Sequence, residues 1–188
     1  DPLPVMREYR WPEAFPEEVL DAAREVAETV GESSASERLD QKDHTTVTID
    51  PEDARDFDDA IYLQRAGENQ WRLWVHIADV SHYVKPNSAL DREAHKRGNS
   101  TYLVDRVIPM LPEALSNQLG SLKPDVDRLT TCVEFLLNDS GQVLKTRFHE
   151  AVIHSKRRYA YEDAMAVIKE KGPADKIEEM LLQANNLA

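Results

Sequence analysis

Residues 50–59 read Asp-Pro-Glu-Asp-Ala-Arg-Asp-Phe-Asp-Asp, six carboxylates within ten positions. An apolar run stands on either side of them. His44 to Ile49 is dense in β-branched residues, and Ala60-Ile61-Tyr62-Leu63 is short and apolar, the composition that reads as strand. The fold must therefore carry a charged loop between two strand ends. Two carboxylates ~4 Å apart repel by ~4 kcal/mol at an effective dielectric near 20, so the loop needs an offset. Solvent exposure, raised pKa values and hard divalent cations can each supply one.

A solvated acidic loop is the ordinary reading of an acid run. Here, however, Asp50 directly follows one strand, and Asp58 and Asp59 directly precede the next, so rigid elements hold the acids across from one another. An EF-hand is excluded. No Gly occupies the sixth position from Asp50 or Asp53, and the twelfth from Asp50 is Ile61 rather than Glu. Magnesium or manganese held by aspartates, with a substrate phosphate completing the shell, matches this donor set better.

Around the acidic loop the pattern is mixed. Four of the ten prolines fall in residues 1–16, which read as an extended lead-in. From Pro16, the spacing of Val19, Leu20, Ala23, Val26, Ala27 and Val30 predicts a helix with Glu17 and Glu18 at its positive end and Gly31 as its stop. Residues 31–43 are polar and read as a loop. Asp59–Leu63 and Trp71–Ala78 are expected to pair as strands through a turn at 66–69. Ser88 to Asp91 approximates a capping box ahead of a short helix closed by Gly98, and a second short helix is expected over 112–119. Thr130–Leu137 and Val143–His154 flank Asn138-Asp139-Ser140-Gly141, a strong turn signal, and predict a second hairpin. Helices are expected over 160–171 and again toward residue 188, where the apolar spacing stops without a cap.

The expected class is α+β, with a twisted, largely antiparallel sheet and flanking helices. No apolar run approaches the ~20 residues a spanning helix needs, so no membrane partner is expected. The single cysteine, Cys132, excludes an internal disulfide and a Cys-based zinc site, and a cytoplasmic setting is the expectation. The six histidines show no paired metal-ligand spacing. A net charge of −12, from 23 Lys and Arg against 35 Asp and Glu, argues against holding nucleic acid by phosphate neutralisation within these residues. A nucleic-acid partner then requires a cation or basic surface from outside them.

The segment Thr48-Ile49-Asp50-Pro51-Glu52-Asp53-Ala54-Arg55-Asp56-Phe57-Asp58-Asp59-Ala60 resembles the catalytic signature of the ribonuclease II/ribonuclease R family. Asp50, Asp56, Asp58 and Asp59 match that signature's four aspartates. The similarity continues through Trp74–Ser81, Leu90–Ala94, Arg97–Tyr102, Ile108–Pro112 and Leu115–Asn117. It covers most of residues 40–165 and lies nearer the ribonuclease R branch.

The resemblance implies an RNB-type catalytic domain in a processive, magnesium-dependent enzyme that hydrolyses single-stranded RNA from the 3′ end to nucleoside 5′-monophosphates. It implies that Asp50, Asp56 and Asp59 mainly hold metal and orient substrate, with Asp58 most tied to chemistry. By the same resemblance Tyr102 stacks on a base near the 3′ end, and Tyr161 senses ribose. Tyr159 is the neighbouring alternative to Tyr161. Lys156, Arg157 and Arg158 form the most basic run, read either as a phosphate contact, Arg158 included, or as a solvated strand end. Trp71, Trp74 and Cys132 are read as packing residues.

The implied organisation is a lead-in over 1–15, the remnant of a cold-shock-type domain, followed by the N-terminal half of the catalytic domain over 16–188. On that basis an arginine that stabilises phosphate charge and a second aromatic clamp are expected further along the parent chain. The 188 residues alone are then expected to be inactive or nearly so. A degenerate module that grips RNA ends without cutting and an acidic interaction scaffold are the alternatives. Oligomeric state is not legible.

Overall fold

The computed structural model describes residues 3–9, 11–12, 14–29, 35–104 and 106–188. Among these the strands are β1 (Leu39–Asp40), β2 (Val47–Asp50), β3 (Asp59–Gly67), β4 (Gln70–Ala78), β5 (Thr101–Tyr102), β6 (Val107–Ile108), β7 (Asp127–Asn138), β8 (Val143–His154) and β9 (Arg157–Ala160). The α-helices are α1 (Leu3–Glu8), α2 (Glu17–Thr29), α3 (Val80–Tyr83), α4 (Ala89–Arg97), α5 (Tyr161–Ala166) and α6 (Lys176–Leu187). The chain divides into two units, one formed by Glu32–Asp79 with Gly120–Ala188 and one by Asp1–Gly31 with Val80–Leu119.

The first of these is built on a seven-stranded sheet in the order β1-β8-β7-β4-β3-β2-β9. Its centre is the two expected hairpins, β3–β4 and β7–β8, joined by antiparallel pairing of β4 with β7 from Gln70↔Asn138 to Ala78↔Thr130. Both outer pairings, β1 with β8 and β2 with β9, are parallel. The sheet is thus largely antiparallel, as its alternation and turn signals predict.

Strand alternation sorts its faces. Val47, Leu63, Trp71, Leu137 and Tyr159 pack against Ala164 and Val167 and against Met180 and Leu181 of α6. Burying side chains of the Val, Leu or Met class contributes ~1.5–3 kcal/mol each. The α6 helix is fixed at its start by Asp175, whose Oδ1 accepts from the N–H groups of Ile177 and Glu178 at 2.9 and 3.0 Å. Separate clusters of Trp74, Cys132 and Ala151, and of Phe57, Ala60, Ala78, Leu122 and Ile153, fill other parts of the core. Trp71, Trp74 and Cys132 are all buried, in keeping with their reading as packing residues.

The other unit is mainly helical, with α2 packed on α4. Ser88 caps α4 by accepting from Asp91 N–H at 3.1 Å, and the Asp91 carboxylate accepts from Asn87 N–H at 2.7 Å, so the box closes one residue earlier than its usual form. Gly98, at φ 81°, closes the helix. Arg97 is a hub within this unit. Its guanidinium donates to Glu93 Oε1 (2.9 Å), Ala14 O (2.7 Å) and Pro109 O (3.1 Å) and covers the Phe15 ring at 3.7 Å.

Three local readings change. The lead-in is not extended: Leu3–Glu8 form α1, because Pro4 lies in the first turn, where its missing N–H is not needed. Residues 39–40 of the polar loop are drawn into the sheet by pairing with Ala151 and Val152. The helices expected over 112–119 and 160–171 end in π-helical turns, Leu115–Leu119 and Val167–Lys171. The expected stop at Gly31 lies outside the described residues. No described helix is long and apolar enough to cross a membrane.

Candidate active site

The acidic loop is braced from several directions. Strand β2 ends at Asp50, which sits opposite Ala160 in the parallel pairing with β9. Strand β3 begins at Asp59, opposite Ile77. Between them, Asp58 O accepts from Ala78 N–H at 2.8 Å and Phe57 O accepts from Leu122 N–H at 2.8 Å. Phe57 is buried, so the one aromatic residue within the acid run anchors it in the core. Ser121 completes the brace. Its buried hydroxyl donates to Arg55 O at 2.9 Å and accepts from Phe57 N–H at 3.0 Å.

Asp50 is only 8% exposed, and its Oδ2 is buried without a hydrogen-bond partner. Desolvation raises its pKa above the ordinary aspartate range, followed by the charge of Asp59, while Thr48 and Arg158 pull the other way. Asp58 is exposed over the residue as a whole, yet its carboxyl is crowded enough that desolvation is again the first cause of a raised pKa. The charges of Asp56, Asp59 and Asp50 add to it. The charges of the other three aspartates therefore reach Asp58, and those of Asp56 and Asp59 reach Asp50.

They are not drawn into a ready-made cage. Among the described residues no group of three or more His, Cys, Asp or Glu side chains is arranged to hold a metal ion. The chemistry of the donor set nonetheless fits a hard divalent cation. Oxygen ligands, an unpartnered buried carboxylate oxygen at Asp50 and mutual repulsion at Asp58 are what such an ion would satisfy, given inward movement of the carboxyls.

The aromatic and basic candidates separate by environment. Tyr161 follows Ala160, the residue opposite Asp50, and opens α5 with 54% of its surface exposed. Tyr159 is buried in the core, and its hydroxyl accepts from Arg157 at 2.8 Å. Of the two, only Tyr161 is presented to solvent beside the acidic loop. Arg157 also donates to Asp175 at 2.6 Å, which ties it to α6. Arg158 instead reaches the loop itself, donating through Nη2 to Pro51 O at 2.7 Å and Glu52 O at 2.6 Å. Tyr102 stands on the β5–β6 hairpin of the other unit and is 66% exposed.

Residues 38–188 match the RNB domain. The chain belongs to the RNB domain family. Ribonuclease R of Vibrio parahaemolyticus is 46% identical to this RNB chain over 161 residues, 86% of the chain and 19% of that protein. Ribonuclease R of Escherichia coli is 50% identical over 153 residues, 81% of the chain and 18% of that protein. The fold superposes on Mycoplasma genitalium RNase R in complex with ribose methylated single-stranded RNA. That match has a TM-score of 0.89 at 32% identity and covers 97% of this chain and 29% of the other. The same protein in complex with double-stranded RNA gives 0.90. This RNB chain thus spans about a fifth of the length of those two curated relatives.

Ser121 and the role of Phe57 were not legible as site features. Ser121 lies 64 residues from its partner Phe57, with no motif to connect them. In the sequence Phe57 shows only as the lone aromatic among six acids, and its burial is what the structure adds.

Proposed function

We propose that this RNB chain supplies the carboxylate portion of a magnesium-dependent exoribonuclease that shortens RNA hydrolytically from the 3′ end, releasing nucleoside 5′-monophosphates in the cytoplasm. The observation that carries the reading is the braced loop, in which Asp50, Asp56, Asp58 and Asp59 keep the family's spacing and act on one another electrically. The complexes of Mycoplasma genitalium RNase R with RNA support RNA as the polymer.

In this reading the four aspartates are the ligands of magnesium, with manganese as its substitute. When bound, such ions lower the pKa of water and neutralise charge on a scissile phosphate. Asp50, Asp56 and Asp59 orient the last phosphodiester, and Asp58 serves the chemical step. Water oxygen bonds to phosphorus as the bond to the leaving 3′-oxygen breaks and a proton from that water passes to the 3′-oxygen, so the terminal nucleotide departs carrying its 5′-phosphate. Tyr102 and Tyr161 are the RNA-facing aromatics. With a net charge of −12, these residues leave phosphate neutralisation along the strand to basic surface elsewhere in the parent protein.

The test is Asp58→Asn in the full-length protein. Hydrolysis should fall by at least ~10²-fold, the scale for losing an electrostatic stabiliser, while single-stranded RNA is still bound. Unchanged hydrolysis overturns the reading. Binding without hydrolysis in the wild type favours the alternative, a module that grips RNA ends without cutting. In the same assay the isolated 188 residues should show little or no trimming, and robust trimming by them contradicts that part of the proposal.

A further inference from the structure

We propose that Arg158 is a positioning residue, which clamps the acidic loop into the shape that receives a divalent ion, rather than a contact to RNA phosphate. The inference rests on the nuclease reading above and assigns a different task to a residue that the sequence placed among the RNA contacts.

Arg158 lies opposite Thr48 in the β2–β9 pairing, and Asp50 is two residues further along β2, so Arg158 and Asp50 share one face of the sheet. From there the side chain bends over the loop. One nitrogen, Nη2, donates to both Pro51 O and Glu52 O, the first two carbonyls after Asp50. The guanidinium carbon stands 5.3 Å from the centre of the buried Phe57 ring, so the same side chain spans the loop from its start to its aromatic anchor. Its charge also acts on Asp50.

Two buried atoms of opposite character remain without hydrogen-bond partners at this place, Nε of Arg158 and Oδ2 of Asp50. A guanidinium already committed to two backbone carbonyls and one ring is badly placed to follow a moving phosphate chain. It is well placed to fix the backbone from which Asp50 projects, and to keep one positive charge beside carboxylates that repel one another. Groups behind metal ligands typically change metal affinity by ~10–100-fold when removed.

The experiment compares wild type, Arg158→Lys and Arg158→Met in the full-length protein. Manganese binding is followed by electron paramagnetic resonance without RNA, and affinity for a single-stranded oligoribonucleotide is measured in EDTA. The proposal expects manganese affinity to weaken by ~10–100-fold in Arg158→Met and by less in Arg158→Lys, with RNA affinity in EDTA unchanged. The concentration of magnesium giving half-maximal hydrolysis should rise in parallel, while KM for RNA at saturating magnesium stays the same. Circular dichroism melting separates loss of the clamp from loss of the fold, and Arg158→Lys keeps the charge if Arg158→Met fails to fold. Unchanged manganese affinity in the variants, or weakened RNA binding with a shallower salt dependence, overturns the proposal alone. Absence of saturable manganese binding in the wild type overturns the nuclease reading and this proposal with it.

Discussion

Tyr102 occupies a two-residue strand whose partner strand is equally short, and Leu103 N–H donates to Arg106 O at 2.8 Å to close the hairpin. Such a hairpin presents a ring without burying it. Base stacking on an exposed aromatic is worth ~1–3 kcal/mol per base, roughly a 5- to 150-fold change in affinity. Tyr102→Ala, made in the Asp58→Asn background so that RNA survives the measurement, should therefore weaken oligoribonucleotide binding by that factor in fluorescence anisotropy. Equal affinities would remove Tyr102 from the RNA-contacting set. At this scale the sequence was informative about the spacing of the acids, and it left Tyr159 and Tyr161 as alternatives that the structure separates. The tyrosines at 159 and 161 are separated by chain direction: β9 ends at Ala160 and α5 begins at Tyr161, so one ring is buried in the core and the other emerges. The identity of the acids was legible, whereas the arrangement of their oxygens was not, because it depends on Ser121 and Arg158, which are remote in sequence from the loop they brace.

Within the sheet, β4 carries a polar group into the core. His76 is fully buried between Ala60 of β3 and Cys132 of β7, with Nδ1 3.2 Å from Thr130 Oγ1 and Nε2 unpartnered. Desolvation, and then the nearby His44, lowers its pKa from 6.5 to about 4. The unfolded chain consequently binds a proton that the folded chain refuses between those values. Stability attributable to His76 is complete above pH 6.5, is lost as pH falls toward 4, and amounts to on the order of 3 kcal/mol. Asp50 and Asp58, with raised pKa values, act in the opposite sense and stabilise as they gain protons. The His76 contribution is therefore read as a difference. Urea unfolding at pH 7 and pH 4.5 should show a larger acid loss in wild type than in His76→Gln, and equal losses would contradict the assignment. Among elements, the two hairpins were legible because turn residues and alternation are local. The parallel pairings of β1 and β9 were not, since their partners β8 and β2 are recognised only once the central strands are in place.

For the whole molecule, the net charge of −12 and the donor set of the braced loop point the same way. In the proposed reading an acidic chain meets RNA phosphate through cations or through basic surface elsewhere in the parent protein, and Asp50, Asp56, Asp58 and Asp59 are the residues that would hold such cations. The fold class followed from the mixture of hairpins and helices in the sequence. Division into two units did not, because residues 80–119 belong with the amino-terminal helices although they lie between sheet strands in sequence. The most direct test of the account gives the full-length protein a 5′-labelled single-stranded oligoribonucleotide, with magnesium or with EDTA, and resolves the products by length over time. The expected result is full-length RNA giving way to a short 5′-labelled remnant by loss of nucleotides from the 3′ end, only with magnesium. Internal cleavage, or equal shortening in EDTA, would contradict it.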